Sequence, residues 1–266
     1  MSTRRAAPLL QAFVLHRYDW SESSLILDVL TRERGRLAVA AKGARRPYSQ
    51  LRPVLLPFQR VAMTLARSPA EGVEVHTLRQ AEWAGGLPPL GAVAGADAGA
   101  GEALFRAYYC NELVMKLLAR EDPHPVVFDA YAATLPALAG PDALHAQAAL
   151  RAFELVLLRE VGVLPDLSTV TLTVQPVQPA QHYLLVPESG VMATREESGT
   201  LTGATLLALQ RALDAQDLAQ LQAACLPALA ALRGAMRTLL QAHAGGATWR
   251  TRDVMQGLRR LLDSRP

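Results

Sequence analysis

The chain has few cysteines, few aromatic residues and no long apolar run, and these shortages limit its fold and its compartment. Its 266 residues include two cysteines, Cys110 and Cys225, each within an apolar segment. With no Cys-x-x-Cys pair and no small disulfide scaffold, we expect both to be buried free thiols in a reducing compartment. Only 5% of the residues are aromatic and half are hydrophobic, so the cores are expected to consist mainly of Ala, Leu and Val, a composition that favours helices.

No segment has the pattern of a secretion signal or of a membrane span. Arg4 and Arg5 precede an apolar run, but this run is about ten residues long, contains Pro8 and Gln11, and has no Ala-x-Ala cleavage pattern. A membrane helix requires roughly 20 apolar residues. The longest stretch without Asp, Glu, Lys or Arg, residues 167–187, is rich in Thr, Gln and Pro. We therefore expect a cytoplasmic protein with no membrane partner.

The motifs of common catalytic and metal sites are also missing. The sequence has no GxxxxGK[ST] phosphate loop, no HExxH or GxSxG motif and no paired-carboxylate signature. A lone GxG, Gly99–Gly101, lies in a Gly/Ala/Pro-rich stretch, and the six histidines have no ligand spacing. We predict no catalytic residue, no cofactor and no bound metal. An enzyme with an unrecognised active site is the weakest alternative.

Positive charge is concentrated in the first 60 residues. This segment has eleven Lys and Arg against four Asp and Glu, a net charge of +7, whereas the whole chain has +3. The rest of the chain is therefore net acidic, at −4. Such an asymmetry indicates a polyanionic partner for the N-terminal segment.

Much of this charge falls in residues 31–58, which are typical of a nucleic-acid-binding hairpin. Gly35 allows a tight turn, and the residues after it alternate as in a half-buried strand. The following loop, residues 43–53, has three arginines, a tyrosine and two prolines, so it is too polar and too broken for a core. We predict that charged side chains here bind phosphates and that the tyrosine stacks on bases, although a solubilising surface loop is the alternative. The predicted nucleic-acid-binding residues are Arg36, Lys42, Arg45, Arg46, Tyr48 and Arg52.

Residues 9–82 contain five short strand patterns separated by turn residues. Five strands of this size with long loops are what a small oligonucleotide-binding (OB) barrel requires. An SH3-like barrel fits the spacing nearly as well. The predicted strands are Leu9–His16, Ser24–Thr31, Arg36–Lys42, Val54–Ala66 and Val73–Ala81.

A Gly/Ala/Pro-rich stretch at residues 83–101 is predicted to link two domains, 1–82 and 102–266. Beyond it the hydrophobic period changes from two to about 3.6 residues. The predicted helices are 102–120, 125–139, 143–162, 203–214, 217–243 with a bend at Pro227, and 251–262, with an irregular or hairpin insert at about 163–194. The predicted fold class is thus α+β multidomain: an N-terminal five-stranded barrel followed by a mostly helical C-terminal domain.

Several segments, taken in order, resemble the RecO family of bacterial recombination mediators. AFVLHRYDWSESSLILDVLT (12–31) and GRLAVAAKGARRPYSQLRPVLLPF (35–58) resemble its N-terminal domain, which favours the OB barrel. YYCNELVMKLL (108–118), LRAFELVLLREVG (150–162) and WRTRDVMQGLRRL (249–261) resemble its helical domain. Many relatives carry a four-cysteine zinc site in the segment that matches Leu164–Ser189. This chain has no cysteine there, which excludes thiolate coordination.

The resemblance implies a non-enzymatic mediator at the nucleoid. Such a protein binds single- and double-stranded DNA, anneals complementary strands and, with a RecR partner, helps load RecA onto DNA coated by single-stranded-DNA-binding protein (SSB). It also implies binding of the acidic C-terminal tail of SSB, for which Arg151, just before Phe153 on a predicted helix, is our candidate. An RNA-binding OB protein, such as a tRNA or ribosome factor, is the alternative. The three helical segments argue against that alternative.

Overall fold

A computed structural model describes residues 7–66, 74–86, 98–243, 249–251 and 254. The chain divides into two compact units. The first unit extends to Leu135 without residues 108–110, and the second comprises those three residues and the chain from Pro136 onward.

The first unit is built on a closed five-stranded barrel with the strand order β1-β2-β3-β5-β4. The strands are β1 (Leu10–Asp19), β2 (Leu25–Thr31), β3 (Gly35–Ala41), β4 (Gln59–Leu65) and β5 (Val75–Gly86). Strand β3 pairs in parallel with β5, and β1 pairs with both β2 and β4, which closes the barrel. This topology is that of an OB barrel, so the OB prediction is confirmed and the SH3-like alternative is wrong.

Alternating apolar side chains fill the barrel. In β2, Leu25, Leu27 and Val29 point inward and are buried, while Asp28 lies on the other face of the strand. A one-residue slip would exchange these two faces, so the burial of one face fixes the register.

Some strand ends differ from the predicted ones because backbone pairing, and not side-chain alternation, decides where a strand ends. Strand β1 continues to Asp19 because its polar last residues still pair with β2. Strand β4 begins only at Gln59, since Leu51–Val54 form a one-turn helix, α1, inside the predicted strand and loop. Residues 83–86, predicted as linker, belong to β5 and pair with β4.

Two helices pack on the barrel within the first unit, α2 (Ala98–Leu117) and the first part of α3 (Pro125–Ala139). The Phe13 ring on β1 lies 5.1 Å from the Phe128 ring and 5.0 Å from the Tyr131 ring. Asn111 donates from Nδ2 to the Leu15 carbonyl (2.7 Å) and accepts from the Tyr131 hydroxyl. These buried contacts join the helices to the barrel within the first unit, and the predicted domain limits stay a prediction.

The second unit is organised around the helix α4 (Ala143–Glu160). Asp142 caps its start by accepting from the backbone N–H groups of Leu144 and His145. Eleven of its residues between Ala146 and Leu158 are buried. The other helices are α5 (Gly203–Asp214), α6 (Leu218–Cys225) and α7 (Leu229–His243).

The predicted helix 217–243 is two helices joined by a 3-10 turn at Leu226–Ala228, and Pro227 marks the bend as predicted. Among the described residues, the stretch Leu218–His243 alone is long and apolar enough to cross a membrane by length and composition. Its apolar side chains form a buried stripe, whereas Arg233 and Arg237 are exposed.

The insert at 163–194 forms small hairpins. Its strands are β6 (Thr169–Val170), β7 (Gln175–Pro176), β8 (His182–Val186) and β9 (Gly190–Thr194), and β10 (Leu201–Thr202) pairs with β8. The antiparallel β8–β9 hairpin matches the one predicted from the sequence. The predicted helix 251–262 lies almost entirely outside the described residues.

Candidate nucleic-acid interface

Strand register places two loops next to each other at one end of the barrel. Asp19, the last residue of β1, and Ala41, the last residue of β3, both lie opposite Leu25 of β2. The β1–β2 loop (residues 20–24) and the β3–α1 loop (residues 42–50) therefore leave the barrel side by side. We call these two loops, together with the one-turn helix α1 that follows the second, the loop end of the barrel.

Arg45 joins the two loops. Its backbone N–H donates to the Ser23 carbonyl (3.0 Å), and its guanidinium donates to the Ser21 carbonyl (2.6 Å). The same guanidinium forms an ion pair with Asp19, with Nη2 and Oδ2 3.1 Å apart. Arg45, a predicted phosphate ligand, is thus a loop anchor whose charge is partly neutralised by Asp19.

The other predicted cations of the loop point to solvent. Lys42, Arg46 and Arg52 are exposed, and none of them forms an ion pair within the part of the chain that the structure describes. Tyr48 lies between Arg46 and Arg52 in the sequence, and 95% of its surface is exposed. The backbone bends through turns in which Arg46 N–H donates to the Gly43 carbonyl and Ser49 N–H to the Arg46 carbonyl. The β3–α1 loop and the start of α1 therefore present three cations without ion pairs among the described residues, and one exposed aromatic ring.

Arg36 is not brought together with these residues. It lies at the opposite end of β3 from Lys42, about 20 Å away along the strand at roughly 3.3 Å per residue. Its guanidinium donates to the Met115 carbonyl of α2, its Nε is buried without a hydrogen-bond partner, and burial lowers the pKa of Arg36. These contacts give Arg36 a structural role that a sequence pattern does not reveal.

Trp20 is a candidate that the sequence reasoning missed. It lies in the β1–β2 loop with 59% of its surface exposed. The signal that could have revealed it is a tryptophan in a polar turn, Asp-Trp-Ser-Glu, between two apolar strands. Tyr18, near the end of β1, is 46% exposed. With Trp20 on one loop and Tyr48 on the other, both loops carry exposed aromatic surface.

Arg151, the predicted tail-binding residue, lies on α4 in the second unit with only 11% of its side chain exposed. Its Nη1 lies 2.7 Å from Oε2 of Glu154, a carboxylate that is fully buried. This distance makes an ion pair, but the geometry does not satisfy a hydrogen bond. Glu154 Oε2 therefore has no hydrogen-bond donor among the described residues. The Tyr109 hydroxyl donates to the other carboxylate oxygen (2.9 Å).

Burial controls the protonation of this cluster. It raises the pKa of Glu154 to about 6, against the opposing effects of the Arg151 charge and the Tyr109 hydrogen bond. Burial also raises the pKa of Tyr109 and of both thiols, Cys110 and Cys225, and the nearby Glu154 charge raises them further. Both cysteines are free and buried, as predicted. The cluster is therefore a buried arginine–carboxylate pair with two inert thiols beside it.

Comparison with known proteins decides the family. Residues 9–87 match the family model "Recombination protein O N terminal", and residues 99–252 match "Recombination protein O C terminal". The chain belongs to the Recombination protein O (RecO) family. A "DNA repair protein RecO" of Polaromonas sp. (strain JS666) is 45% identical over 253 residues, with 94% of this chain and 96% of the relative covered. The protein of the same name from Variovorax paradoxus (strain S110) is 46% identical over 263 residues, with the same coverage.

Membership of the RecO family confirms the resemblance that the sequence segments indicated. Together with the closed barrel it also confirms the predicted fold class. The loop cations, Tyr48 and Arg151 stay predictions, because a family match does not test single residues.

Proposed function

We propose that this RecO family member is a non-enzymatic mediator of DNA repair and recombination. It binds single- and double-stranded DNA, anneals complementary strands and, with RecR, helps load RecA onto SSB-coated DNA in the cytoplasm, at the nucleoid. The name of its relatives, "DNA repair protein RecO", supports a role in DNA repair. The observation that carries the proposal is the loop end of an OB barrel, which exposes Tyr48 and three cations that form no ion pair among the described residues.

The loop end is suited to contacts with the DNA backbone. Lys42, Arg46 and Arg52 are long side chains without fixed partners in the described structure, so they can follow phosphates whatever the base sequence. Each phosphate neutralised by such a side chain releases condensed counterions, which makes the affinity fall with salt. We therefore assign the phosphate contacts to these three residues, with Arg45 as the anchor that positions their loop.

The salt dependence of binding tests this assignment. Replacing Lys42, Arg46 and Arg52 together by Ala removes three phosphate contacts. The slope of log K against log salt for single-stranded DNA is expected to fall by roughly 0.7 for each contact, or about 2 in all. Arg237→Ala on α7 is the matched control, because Arg237 is equally exposed, and its slope is expected to stay unchanged. An unchanged slope in the triple variant would exclude the loop end as the phosphate site.

For the protein partner, we propose that Arg151 binds the acidic C-terminal tail of SSB. A tail of this kind offers a carboxylate next to an apolar side chain, which requires an arginine set in an apolar surrounding. Arg151 has this setting, because the residues that follow it on α4, from Ala152 to Leu158, are buried and all apolar except Glu154. Glu154 fixes the guanidinium from the inner side.

A further inference from the structure

The two aromatic side chains of the loop end suggest which form of nucleic acid it takes. We infer that Trp20 stacks on an unpaired base, and that Trp20 and Tyr48 together make the loop end a site for the unstacked bases of a single strand. This inference rests on the proposed function, since it concerns the same end of the barrel. It adds a binding residue, Trp20, and a ligand group, the nucleobase face, to the phosphate contacts proposed for the loop cations.

Trp20 differs from the other two tryptophans in its contacts among the described residues. Trp249 is 8% exposed and its ring packs edge-on against Tyr109 at 6.0 Å. Trp83 is 61% exposed, but its indole N–H donates to Gln59 Oε1 (2.9 Å), which joins strands β5 and β4. The indole of Trp20 has no hydrogen bond and no ring contact within the described residues.

The loop that carries Trp20 is nevertheless well ordered by hydrogen bonds. The backbone N–H groups of Trp20 and Ser21 donate to the Ser24 carbonyl at 3.2 and 3.3 Å. From the other loop, Arg45 donates to the carbonyls of Ser21 and Ser23. Because the backbone of this turn is already ordered, little further backbone entropy is lost when the exposed ring binds a flat ligand. The turn thus offers the Trp20 ring to solvent from a fixed backbone position.

Charge in the two loops separates the base side from the phosphate side. The β1–β2 loop has Glu22, whereas the β3–α1 loop has Lys42 and Arg46, and Asp19 before the first loop is paired with Arg45. Phosphates are repelled by the first loop and attracted by the second. A strand that binds the cations of the β3–α1 loop therefore turns its bases, not its backbone, toward Trp20.

Base stacking on aromatic side chains requires bases that are not already stacked in a duplex. The test compares three ligands of about 15 units, close to the upper site size of one OB barrel. They are a thymidine oligonucleotide, an abasic oligonucleotide with the same phosphates, and a duplex. For the thymidine strand, Trp20→Ala is expected to weaken binding at least fivefold, the lower limit for loss of one stacked base. Binding of the abasic strand and of the duplex is expected to stay within twofold of wild type.

Trp83→Ala is the matched control, as an equally exposed tryptophan on strand β5, and it is expected to bind all three ligands like wild type. A Trp20→Ala effect of the same size on the abasic strand would contradict stacking, and so would no effect on any ligand. The Lys42, Arg46 and Arg52 triple variant is measured in parallel and is expected to lose affinity for every ligand. If the triple variant binds like wild type but Trp20→Ala behaves as expected, the assignment of phosphate contacts to these three cations is wrong and the stacking inference still holds.

Discussion

At the scale of single residues, the fully buried Glu154 is the clearest source of pH dependence. Its pKa is raised from 4.5 to about 6, first by burial, while Arg151 and the Tyr109 hydroxyl oppose the shift. The other titratable neighbours are the thiols of Cys110 and Cys225, which stay protonated because burial raises their pKa. The folded protein therefore binds more protons at Glu154 than the unfolded chain does between these two pKa values.

We expect the stability contribution of Glu154 to be greatest below pH 4.5 and to fall as the pH rises to about 6. A shift of this size corresponds to about 2 kcal/mol. Glu154→Gln keeps an acceptor for the Tyr109 hydroxyl but cannot ionise. The free energy of unfolding, measured with urea between pH 4.5 and 7, should therefore fall by about 2 kcal/mol in wild type relative to this variant. If the free energies of unfolding of the two proteins changed with pH in parallel, the Arg151 charge would fully compensate the effect of burial on the pKa of Glu154.

For single site residues, the sequence predicts exposure better than it predicts contacts. Exposure of Lys42, Arg46, Tyr48 and Arg52 could be predicted, because polar residues in a Pro-rich loop have no core to enter. The burial of Arg36 could not, since its partner, the Met115 carbonyl, is 79 positions away. The pairing of Arg45 with Asp19 depends likewise on which loops the barrel brings together.

At the scale of elements, helices were predicted more accurately than strands. Pro125–Ala139 and Gly203–Asp214 have the predicted bounds, because the 3.6-residue pattern and terminal signals belong to the segment itself. The end of β5 depends on its pairing with β4, which the sequence of residues 83–86 does not show. The four-residue helix α1 is too short for any periodicity to appear.

Helix α4 carries two arginines that allow a test of the tail proposal on one element. Arg151 is nearly buried against Glu154, whereas Arg159 is exposed and forms an ion pair with Asp214 (2.9 Å). Arg151→Gln is expected to weaken binding of an SSB-tail peptide at least tenfold, about 1.4 kcal/mol, by loss of a charge-assisted contact. Charge reversal is avoided because it would place a second carboxylate beside Glu154.

The matched variant on the same helix, Arg159→Gln, is expected to bind the tail peptide like wild type. Binding of naked single-stranded DNA should stay within twofold in both variants. Tail binding that drops equally in the two variants would point to a general electrostatic effect and would contradict a specific role for Arg151. The thermal midpoint of each variant shows whether the fold is retained.

At the scale of the whole molecule, the order of a barrel followed by helices could be predicted, but the limits of the compact units could not. The change in hydrophobic period marks where strands give way to helices. It does not show that Phe128 and Tyr131 bury their rings against Phe13 of the barrel. Such packing depends on residues about 115 positions apart, which no pattern within one segment can show.

The proposed function makes the loop end of this RecO family member essential for strand annealing. The rate of annealing of complementary DNA strands coated with SSB tests this role, with RNA strands of the same sequence as the comparison. Wild type is expected to anneal the coated DNA strands, and the Lys42, Arg46 and Arg52 triple variant is expected to lose most of this rate. Tight binding to the RNA strands without annealing of coated DNA would exclude a DNA mediator and favour an RNA-binding OB protein.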